Sequence, residues 1–299
     1  MLLNFRGREL MKIKEILSKN RSSGKNTLSF EVFPPKTSSS VNSVIAAAES
    51  IAALSPSFMS VTYGAGGGSS EYTLSVASDL QRVGVTALAH LTCVRASREG
   101  ISEKLELIKN AGIENILALR GDLPADYVPG EFKHACELVR VIRECGDFCI
   151  GGACYPEGHP ESPTLDDDIS HLKEKADSGC DFFTTQMFFD NNIFYNFMYK
   201  VRDAGITLPV IAGIMPVTKA KQITRICSLS GSPLPVKFRR IVEKFGDSPD
   251  AMRQAGIAYA TEQIIDLYAN GVDAVHVYSM NDADVAKKIS DNLSSIVGI

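Results

Sequence analysis

Eight short apolar runs, each ending in polar residues, alternate along the chain with segments of helical periodicity. The runs cover residues 28–35, 58–63, 86–92, 115–122, 148–157, 182–189, 209–216 and 274–281. Runs of this kind predict buried strands, while apolar residues spaced three and four apart predict helices at 41–54, 99–111, 131–144 and 165–178. The spacing leaves room for one helix between successive strands, which is typical of βα units.

The gap before the last run is roughly twice as long as the others and holds two extra helical patterns, at 235–245 and 249–270. No Pro/Gly/Ser-rich linker divides the chain. We therefore predict a single catalytic domain over 1–299, an eight-stranded (β/α)8 barrel with extra helices before the last strand and an N-terminal helix or extension over 1–24. An open doubly wound sheet is the alternative, and Met11 is an alternative start.

Composition narrows the class of protein. The chain has 44% hydrophobic and 22% charged residues, and no apolar run approaches the ~20 residues of a membrane span. A net charge of −4 argues against a nucleic-acid partner. The seven cysteines include no C-x-x-C pair, and Cys145, Cys149, Cys154 and His159 match no common zinc spacing. We expect a soluble cytoplasmic protein with reduced thiols, no metal and no signal peptide.

The predicted strand ends carry an unusual set of reactive side chains. In chain order they are Glu31; Thr62 and Tyr63; His90 and Thr92; Arg120 and Asp122; Tyr155, Glu157 and His159; Gln186; and Tyr278 and Asn281. Active sites of barrels of this kind lie at the carboxyl ends of the strands, so these side chains are expected to meet there. Strand seven contributes only Met215 and Pro216.

Glu31 is the most informative of these residues because it interrupts an apolar strand beside Phe30 and Phe33. A buried carboxylate is costly, so such a residue indicates an acid with a raised pKa. The alternative is a glutamate that faces solvent or pairs with arginine.

The remaining rim residues favour a ligand with a polar ring and a phosphate. Two separated carboxylates, an amide and an arginine suit a heteroaromatic ring bound by its polar edge. Arg120, His159 and Lys175 can neutralise phosphate, and the glycines at 64, 66, 67 and 68 allow backbone amides to approach a ligand. The residues alone therefore predict a barrel enzyme with a phosphate-bearing ring cofactor.

Six segments together resemble the 5,10-methylenetetrahydrofolate reductase family. They are Phe30-Glu31-Val32-Phe33-Pro34-Pro35, Ser60-Val61-Thr62-Tyr63-Gly64-Ala65, His90-Leu91-Thr92-Cys93, Leu119-Arg120-Gly121-Asp122-Leu123-Pro124, Tyr155-Pro156-Glu157-Gly158-His159-Pro160 and Thr185-Gln186-Met187-Phe188-Phe189-Asp190. The resemblance implies a barrel that binds FAD and reduces 5,10-methylenetetrahydrofolate to 5-methyltetrahydrofolate. It also implies that NADH or NADPH reduces the flavin first, in a ping-pong cycle.

The resemblance also implies roles for single residues. Glu31 matches the general acid that protonates folate N10, Asp122 the aspartate beside the flavin and pterin rings, and Gln186 the residue that reads the pterin edge. The positions that match flavin-binding residues are Thr62, Tyr63, His90, Arg120, Gly121, Asp122, Tyr155, His159, Asp168 and Lys175. Taken singly, His90 is also consistent with a core histidine, Asp168 with a helix start and Lys175 with a solvated helix face.

Three departures from the family pattern concern the electron donor and the flavin diphosphate. Asp282 stands where the family often has arginine, Ile226 where some members have an aromatic residue, and His171 and Glu174 where Asn and Arg can occur. The resemblance therefore leaves three hypotheses: a complete NADH-dependent reductase, the same catalytic subunit fed electrons by a partner protein, and a non-catalytic folate- or flavin-binding subunit. A barrel aldolase or isomerase is a fourth. A homo-oligomer is expected.

Overall fold

The sheet of the protein is a closed parallel barrel. A computed structural model describes residues 10–35, 40–63, 70–123, 128, 130–223 and 234–298. The strands are β1 Thr27–Val32, β2 Met59–Val61, β3 Ala87–Thr92, β4 Asn115–Leu119, β5 Cys149–Cys154, β6 Phe182–Thr185, β7 Val210–Ile214 and β8 Ala274–Tyr278. Each strand pairs in parallel with the next, and β8 pairs with β1, which confirms the predicted barrel and excludes the open sheet.

The helices surround the barrel in the order that the periodicity predicts. They are α1 Ile13–Ser22, α2 Val41–Ala52, α3 Ser70–Arg82, α4 Arg98–Asn110, α5 Ala135–Cys145, α6 Leu165–Asp177, α7 Asn191–Asp203, α8 Val236–Phe245, α9 Pro249–Ala269 and α10 Ala283–Val297. The two extra helices before the last strand are α8 and α9. Across the described ranges, none of the helices has the length and apolar character needed to cross a bilayer.

The predicted strands begin within one residue of the observed ones, and all except the third extend further at their carboxyl ends. The run 148–157, for example, contains β5, which ends at Cys154. The surplus residues of the other seven runs leave the barrel wall and form the loops around its carboxyl end. The glycine cluster at 64–68 and Ile226 lie outside the described residues.

The first helix closes the amino-terminal end of the barrel. Ile13 on α1 is fully buried in an apolar cluster with Phe58, Leu117 and Phe182 from the barrel interior. The backbone amide of Ile13 also donates a 2.7 Å hydrogen bond to Oδ1 of Asn115 at the start of β4. The barrel interior is therefore filled at this end, and its polar side chains face a cavity at the other.

Candidate active site

A cavity of about 1560 Å³ opens at the carboxyl ends of the strands. Pockets for single small molecules measure about 300–1,000 Å³, so this one has room for an extended ligand or for two ligands side by side. The residues predicted to act in catalysis or to bind a ligand all line it: Glu31, Thr62, Tyr63, His90, Arg120, Gly121, Asp122, Tyr155, His159, Asp168, Lys175 and Gln186. Of the other predicted rim residues, Tyr278 lines it, whereas Thr92, Glu157 and Asn281 do not. The fold thus brings together residues that are spread over more than half of the sequence.

Glu31 lies near the end of β1 and faces the barrel interior, where 19% of its side chain is exposed. Its Oε2 atom lies within hydrogen-bond distance of the hydroxyl of Ser60, at 3.3 Å, and 3.6 Å from Nε2 of His90. Within the described ranges, neither lysine nor arginine pairs with it. Burial raises the pKa of Glu31 to about 8, and the hydrogen bond from Ser60 opposes that rise. The alternative of a solvent-facing or arginine-paired glutamate is therefore wrong for the described residues.

Two buried histidines stand beside this carboxyl group without supplying charge. His90 is 7% exposed and His276 2%, and burial lowers the pKa of each imidazole to about 3. Both rings are consequently neutral at physiological pH. Neutral neighbours do not pull a proton away from Glu31, so the carboxyl group keeps its proton up to about its own pKa.

His276 is a site residue that the sequence analysis missed. It lies in the middle of β8, and its Nε2 atom is 4.0 Å from Oε2 of Glu31. The sequence feature that could have identified it is the alternation of side chains along β8. Residues two apart in a strand face the same side, so His276 faces the same side as the rim residue Tyr278. The same spacing relates Ser60 on β2 to Thr62, which directly follows that strand, and Ser60 was missed for the same reason.

A small residue on β7 makes room for Tyr278. The phenol of Tyr278 donates a 2.5 Å hydrogen bond to the carbonyl oxygen of Thr185 on β6, across β7. A Cβ atom at Gly213 would lie 2.5 Å from that phenol oxygen and would also contact the Thr185 carbonyl oxygen. Only glycine fits between them, and the ring of Tyr278 is held against the floor of the cavity.

Asn281 holds the chain that follows Glu31. Its side-chain oxygen accepts from the amide of Phe33, and its side-chain nitrogen donates to the carbonyl oxygen of Phe33, both at 2.9 Å. Ser279 adds a 2.7 Å hydrogen bond to the carbonyl oxygen of Glu31. Asn281 adopts the left-handed conformation, with φ of 56°, which asparagine tolerates better than most residues. Asn281 is thus a scaffold residue beside the site, whereas the sequence placed it on the rim.

The opposite side of the cavity carries the basic residues. The guanidinium of Arg120 makes two hydrogen bonds to Glu161, at 2.6 and 2.7 Å. Lys175 donates to the carbonyl oxygen of Ala153 at 2.5 Å, and Nδ1 of His159 accepts from the amide of Glu161 at 3.1 Å. An anion that enters this side therefore meets two cations, but it competes with Glu161 for Arg120.

Aromatic and acidic residues complete this side. Tyr155 meets the ring of His159 edge to face at 4.7 Å, and burial raises the pKa of its phenol to about 12, so it remains a hydrogen-bond donor at neutral pH. Asp168 is 9% exposed and accepts a 3.1 Å hydrogen bond from Ser162. Desolvation lowers the pKa of His159.

Three further predicted residues, Tyr63, Gln186 and Asp122, also lie on the cavity wall. Tyr63 accepts a 2.8 Å hydrogen bond from the ammonium group of Lys104 on α4. Gln186 is half-buried, and its Oε1 accepts from the amide of Met187 at 3.0 Å. Asp122 lines the cavity with its side chain exposed.

The residues that depart from the family pattern have structural partners. Asp282 caps α10 by accepting from the amide of Val285 at 3.1 Å, and Arg253 binds both of its oxygens at 2.7 and 2.8 Å. The hydrogen bond from Arg253 is the main cause that lowers the pKa of Asp282. Glu174 pairs with Arg140 at 3.1 Å. Asp282 is therefore committed to the scaffold and not to a ligand.

The last departure lies at the rim of the basic side. The ring of His171 stacks on that of His134 with centroids 6.4 Å apart. Both rings line the cavity. Sequence analysis identified His171 only as a difference from the family and did not identify His134.

A closed (β/α)8 barrel with a deep cavity at the carboxyl ends of its strands, an acid kept protonated by burial and a basic wall opposite defines an enzyme-like barrel protein. Comparison with known proteins gives the family. Residues 13–294 match the model of the family described as Methylenetetrahydrofolate reductase. This chain therefore belongs to the methylenetetrahydrofolate reductase family.

Relatives of two lengths support this assignment. The chain is 37% identical to Methylenetetrahydrofolate reductase (NADH) 1 of Zea mays, over 96% of this chain and 51% of the maize protein. It is 34% identical to 5,10-methylenetetrahydrofolate reductase of Pectobacterium carotovorum subsp. carotovorum, over 90% of this chain and 91% of that one. The chain thus spans about half the length of the maize relative and most of the length of the bacterial one.

A solved structure supports the fold. It is an uncharacterized protein from Clostridium thermocellum, described as binding two copies of 5-methyl-5,6,7,8-tetrahydrofolic acid, with a TM-score of 0.70. The match covers 95% of this chain and 100% of that one at 12% identity, so it bears on the fold alone.

Proposed function

We propose that this chain catalyses the reduction of 5,10-methylenetetrahydrofolate to 5-methyltetrahydrofolate, with FAD as cofactor and NADH or NADPH as electron donor. Family membership gives the class of reaction. The observation that carries the proposal is Glu31, a carboxyl group on the cavity wall whose pKa of about 8 keeps it protonated at neutral pH.

Glu31 would act as the general acid. With a pKa of about 8, about nine-tenths of the carboxyl groups carry a proton at pH 7. Transfer of that proton to N10 of the folate breaks the bond from N10 to the bridging carbon and opens the five-membered ring. The cation that remains at N5 is the form that accepts hydride. An acid whose pKa lies near the working pH is suited to this step.

The residues of the cavity fit FAD. Across the described residues, two of the buried polar atoms without a hydrogen-bond partner, Nε2 of His90 and Oγ1 of Thr184, belong to side chains on the cavity wall. A polar ring edge would satisfy such atoms. Arg120, Lys175 and His159 would hold the diphosphate at the other end. FAD, when bound, supplies the redox chemistry that this chain lacks.

Asp122 and Gln186 would orient the two rings. Both line the cavity. A carboxylate at Asp122 would stabilise positive charge that develops on the folate once N10 is protonated. The amide of Gln186 can both donate to and accept from the pterin edge.

Delivery of electrons by a partner protein is a second candidate for the donor step. It is favoured by Asp282, which stands where the family often has arginine and is bound by Arg253. This position therefore offers no cation to a nicotinamide dinucleotide. The acid chemistry of Glu31 is the same under both candidates.

Glu31→Gln tests the proposed acid. The variant is expected to bind FAD and folate as the wild type does and to lose roughly 10²-fold or more in turnover with chemically reduced enzyme, because glutamine supplies no acidic proton. Glu103→Gln, at an exposed position of α4, is the matched control and should retain full turnover. Wild-type turnover in Glu31→Gln would refute the role of Glu31 as acid. A protein that binds folate but never turns it over would support the non-catalytic subunit instead.

A further inference from the structure

We propose that His276 is a positioning residue for Glu31, joined to it through Ser60 and anchored by Ser29, and that the ring nitrogen of His276 that carries hydrogen changes when Glu31 gains or loses its proton. The catalytic meaning of this inference rests on the proposed function. The hydrogen-bond coupling itself does not.

The four residues form a continuous chain across three neighbouring strands. Nδ1 of His276 on β8 is 2.8 Å from Oγ of Ser29 on β1, and its Nε2 is 2.9 Å from Oγ of Ser60 on β2. Ser60 in turn lies 3.3 Å from Oε2 of Glu31. Ser29 and Ser60 are fully buried, and the ring of His276 stacks on Phe58 with centroids 5.6 Å apart. The two serines and the imidazole are thus fixed in place by burial and packing.

Counting hydrogens gives the arrangement with the most hydrogen bonds when Glu31 is protonated. Oγ of Ser29 is 3.1 Å from the carbonyl oxygen of Val275, which can only accept, so the hydrogen of Ser29 is used there. The oxygen of Ser29 then accepts from Nδ1 of His276. Nε2 is left as an acceptor and takes the hydrogen of Ser60. Toward Glu31 the oxygen of Ser60 can now only accept, and the protonated carboxyl group donates to it.

Ionisation of Glu31 favours the reverse arrangement, because with the hydrogen left on Nδ1 the Nε2 atom and the oxygen of Ser60 would face each other as two acceptors 2.9 Å apart. A carboxylate only accepts, so the hydroxyl of Ser60 turns to donate to Glu31. Ser60 can then no longer donate to His276, and the ring completes the chain only if Nε2 carries the hydrogen and Nδ1 accepts from Ser29. That costs the hydrogen bond from Ser29 to Val275. The two arrangements differ by one proton, that of Glu31, and the protonated one keeps one more hydrogen bond.

The surroundings leave Glu31 as the group whose charge changes near neutral pH. The titratable side chains that face this chain from the neighbouring strands are His90, Tyr278, Tyr155 and Cys154. Burial holds the pKa of His90 far below neutrality and the pKa values of the two phenols and the thiol well above it. Among the described residues, none of these four neighbours carries charge at pH 7. A change of His276 between pH 6 and 9.5 therefore reports on Glu31.

Nitrogen NMR of protein labelled with ¹⁵N-histidine tests the proposal directly. The signals of His276 are assigned by their loss in His276→Gln. The expected result is an Nδ1 that carries hydrogen at pH 6 and an Nε2 that carries it at pH 9.5, with a midpoint equal to that of Glu31 measured by ¹³C carboxyl NMR. In Glu31→Gln the His276 signals should not change with pH. Signals in the wild type that stay constant while Glu31 titrates would overturn the proposal.

Two serine variants are expected to move the Glu31 midpoint in opposite directions, which a merely structural role of these residues would not produce. Ser60→Ala removes the donor to the carboxylate and should raise the Glu31 midpoint by roughly one pH unit. Ser29→Ala removes the anchor that favours hydrogen on Nδ1 and should lower that midpoint by a similar amount, although it reaches Glu31 only through His276. A Glu31 midpoint that does not move in these variants, or that moves in the same direction in both, would overturn the proposal.

The outcomes separate the two proposals. If the protein lacks reductase activity but shows coupled His276 signals, only the proposed function fails. If an active reductase shows uncoupled signals, only the role of His276 fails. In an active enzyme, the alkaline limb of the turnover profile should move with the Glu31 midpoint in both serine variants.

Discussion

Burial of Glu31 in an apolar strand lowers the free energy of unfolding above about pH 4.5, and Glu31→Gln is expected to abolish this loss of stability. The folded-state pKa of about 8 lies above the ordinary value of 4.5. Between these two values the folded protein retains a proton that the unfolded chain loses. The free energy of unfolding of the wild type should therefore fall as pH rises from 4.5 to about 8.

The magnitude follows from the same two values. At 1.36 kcal/mol for each pKa unit, the rise from 4.5 to about 8 corresponds to about 5 kcal/mol above pH 8 and to about 3 kcal/mol at pH 7. Glutamine has a similar shape and does not ionise, so Glu31→Gln should show no such loss. The variant should be more stable than the wild type at pH 8.5 by about 4 kcal/mol relative to their difference at pH 4.5, where the unfolded carboxyl group is already half ionised.

Urea unfolding of wild type and variant at intervals from pH 4.5 to 9 measures this difference. The test is its pH dependence, because a constant offset reports only on altered hydrogen bonding. The control Glu103→Gln should differ from the wild type by less than about 0.5 kcal/mol at every pH. A difference between wild type and Glu31→Gln that does not change with pH would show that Glu31 is ionised in the folded protein at neutral pH, and would refute the argument from burial.

Three further predictions address the scaffold and the basic side. Gly213→Ala should lower the free energy of unfolding by about 1–3 kcal/mol in urea titrations, because the added methyl group overlaps the phenol of Tyr278; unaltered stability would contradict the close approach. Glu161→Gln should tighten FAD binding in fluorescence titrations, because Arg120 loses its charged partner; weaker binding would indicate that Glu161 helps to hold the cofactor. Ile13→Ala should lower the free energy of unfolding by about 2–5 kcal/mol while leaving turnover unchanged, since Ile13 packs at the closed end of the barrel, away from the site; a folded variant that has lost turnover would contradict the independence of the two ends.

Much of the architecture could be predicted from the alternation of strand and helix patterns. Parallel strands buried on both faces give nearly continuous apolar runs, so their number and starting points are visible in the sequence. The carboxyl ends of the strands are not visible in the sequence, because residues such as Tyr155 and Gln186 follow the strand directly and are themselves partly buried. These misplaced ends are the segments that form the site.

The candidate site was predictable where a residue breaks the apolar pattern at a strand end, as Glu31 does. It was not predictable deeper in the barrel, where Ser29, Ser60 and His276 lie inside apolar runs and gain their meaning from contacts between strands. Those contacts depend on the register of β8, β1 and β2, which no local pattern encodes. Partners such as Glu161 for Arg120 and Arg253 for Asp282 depend likewise on distances across the fold.

The visible spectrum of the purified protein with FAD, recorded under anaerobic conditions before and after NADH and then after 5,10-methylenetetrahydrofolate, tests the proposed reductase activity. We expect a bound flavin whose absorbance NADH bleaches and the folate restores. A flavin that NADH leaves oxidised, while chemically reduced enzyme still converts the folate, would assign the donor step to a partner protein. A protein that shows no affinity for flavin would contradict the account.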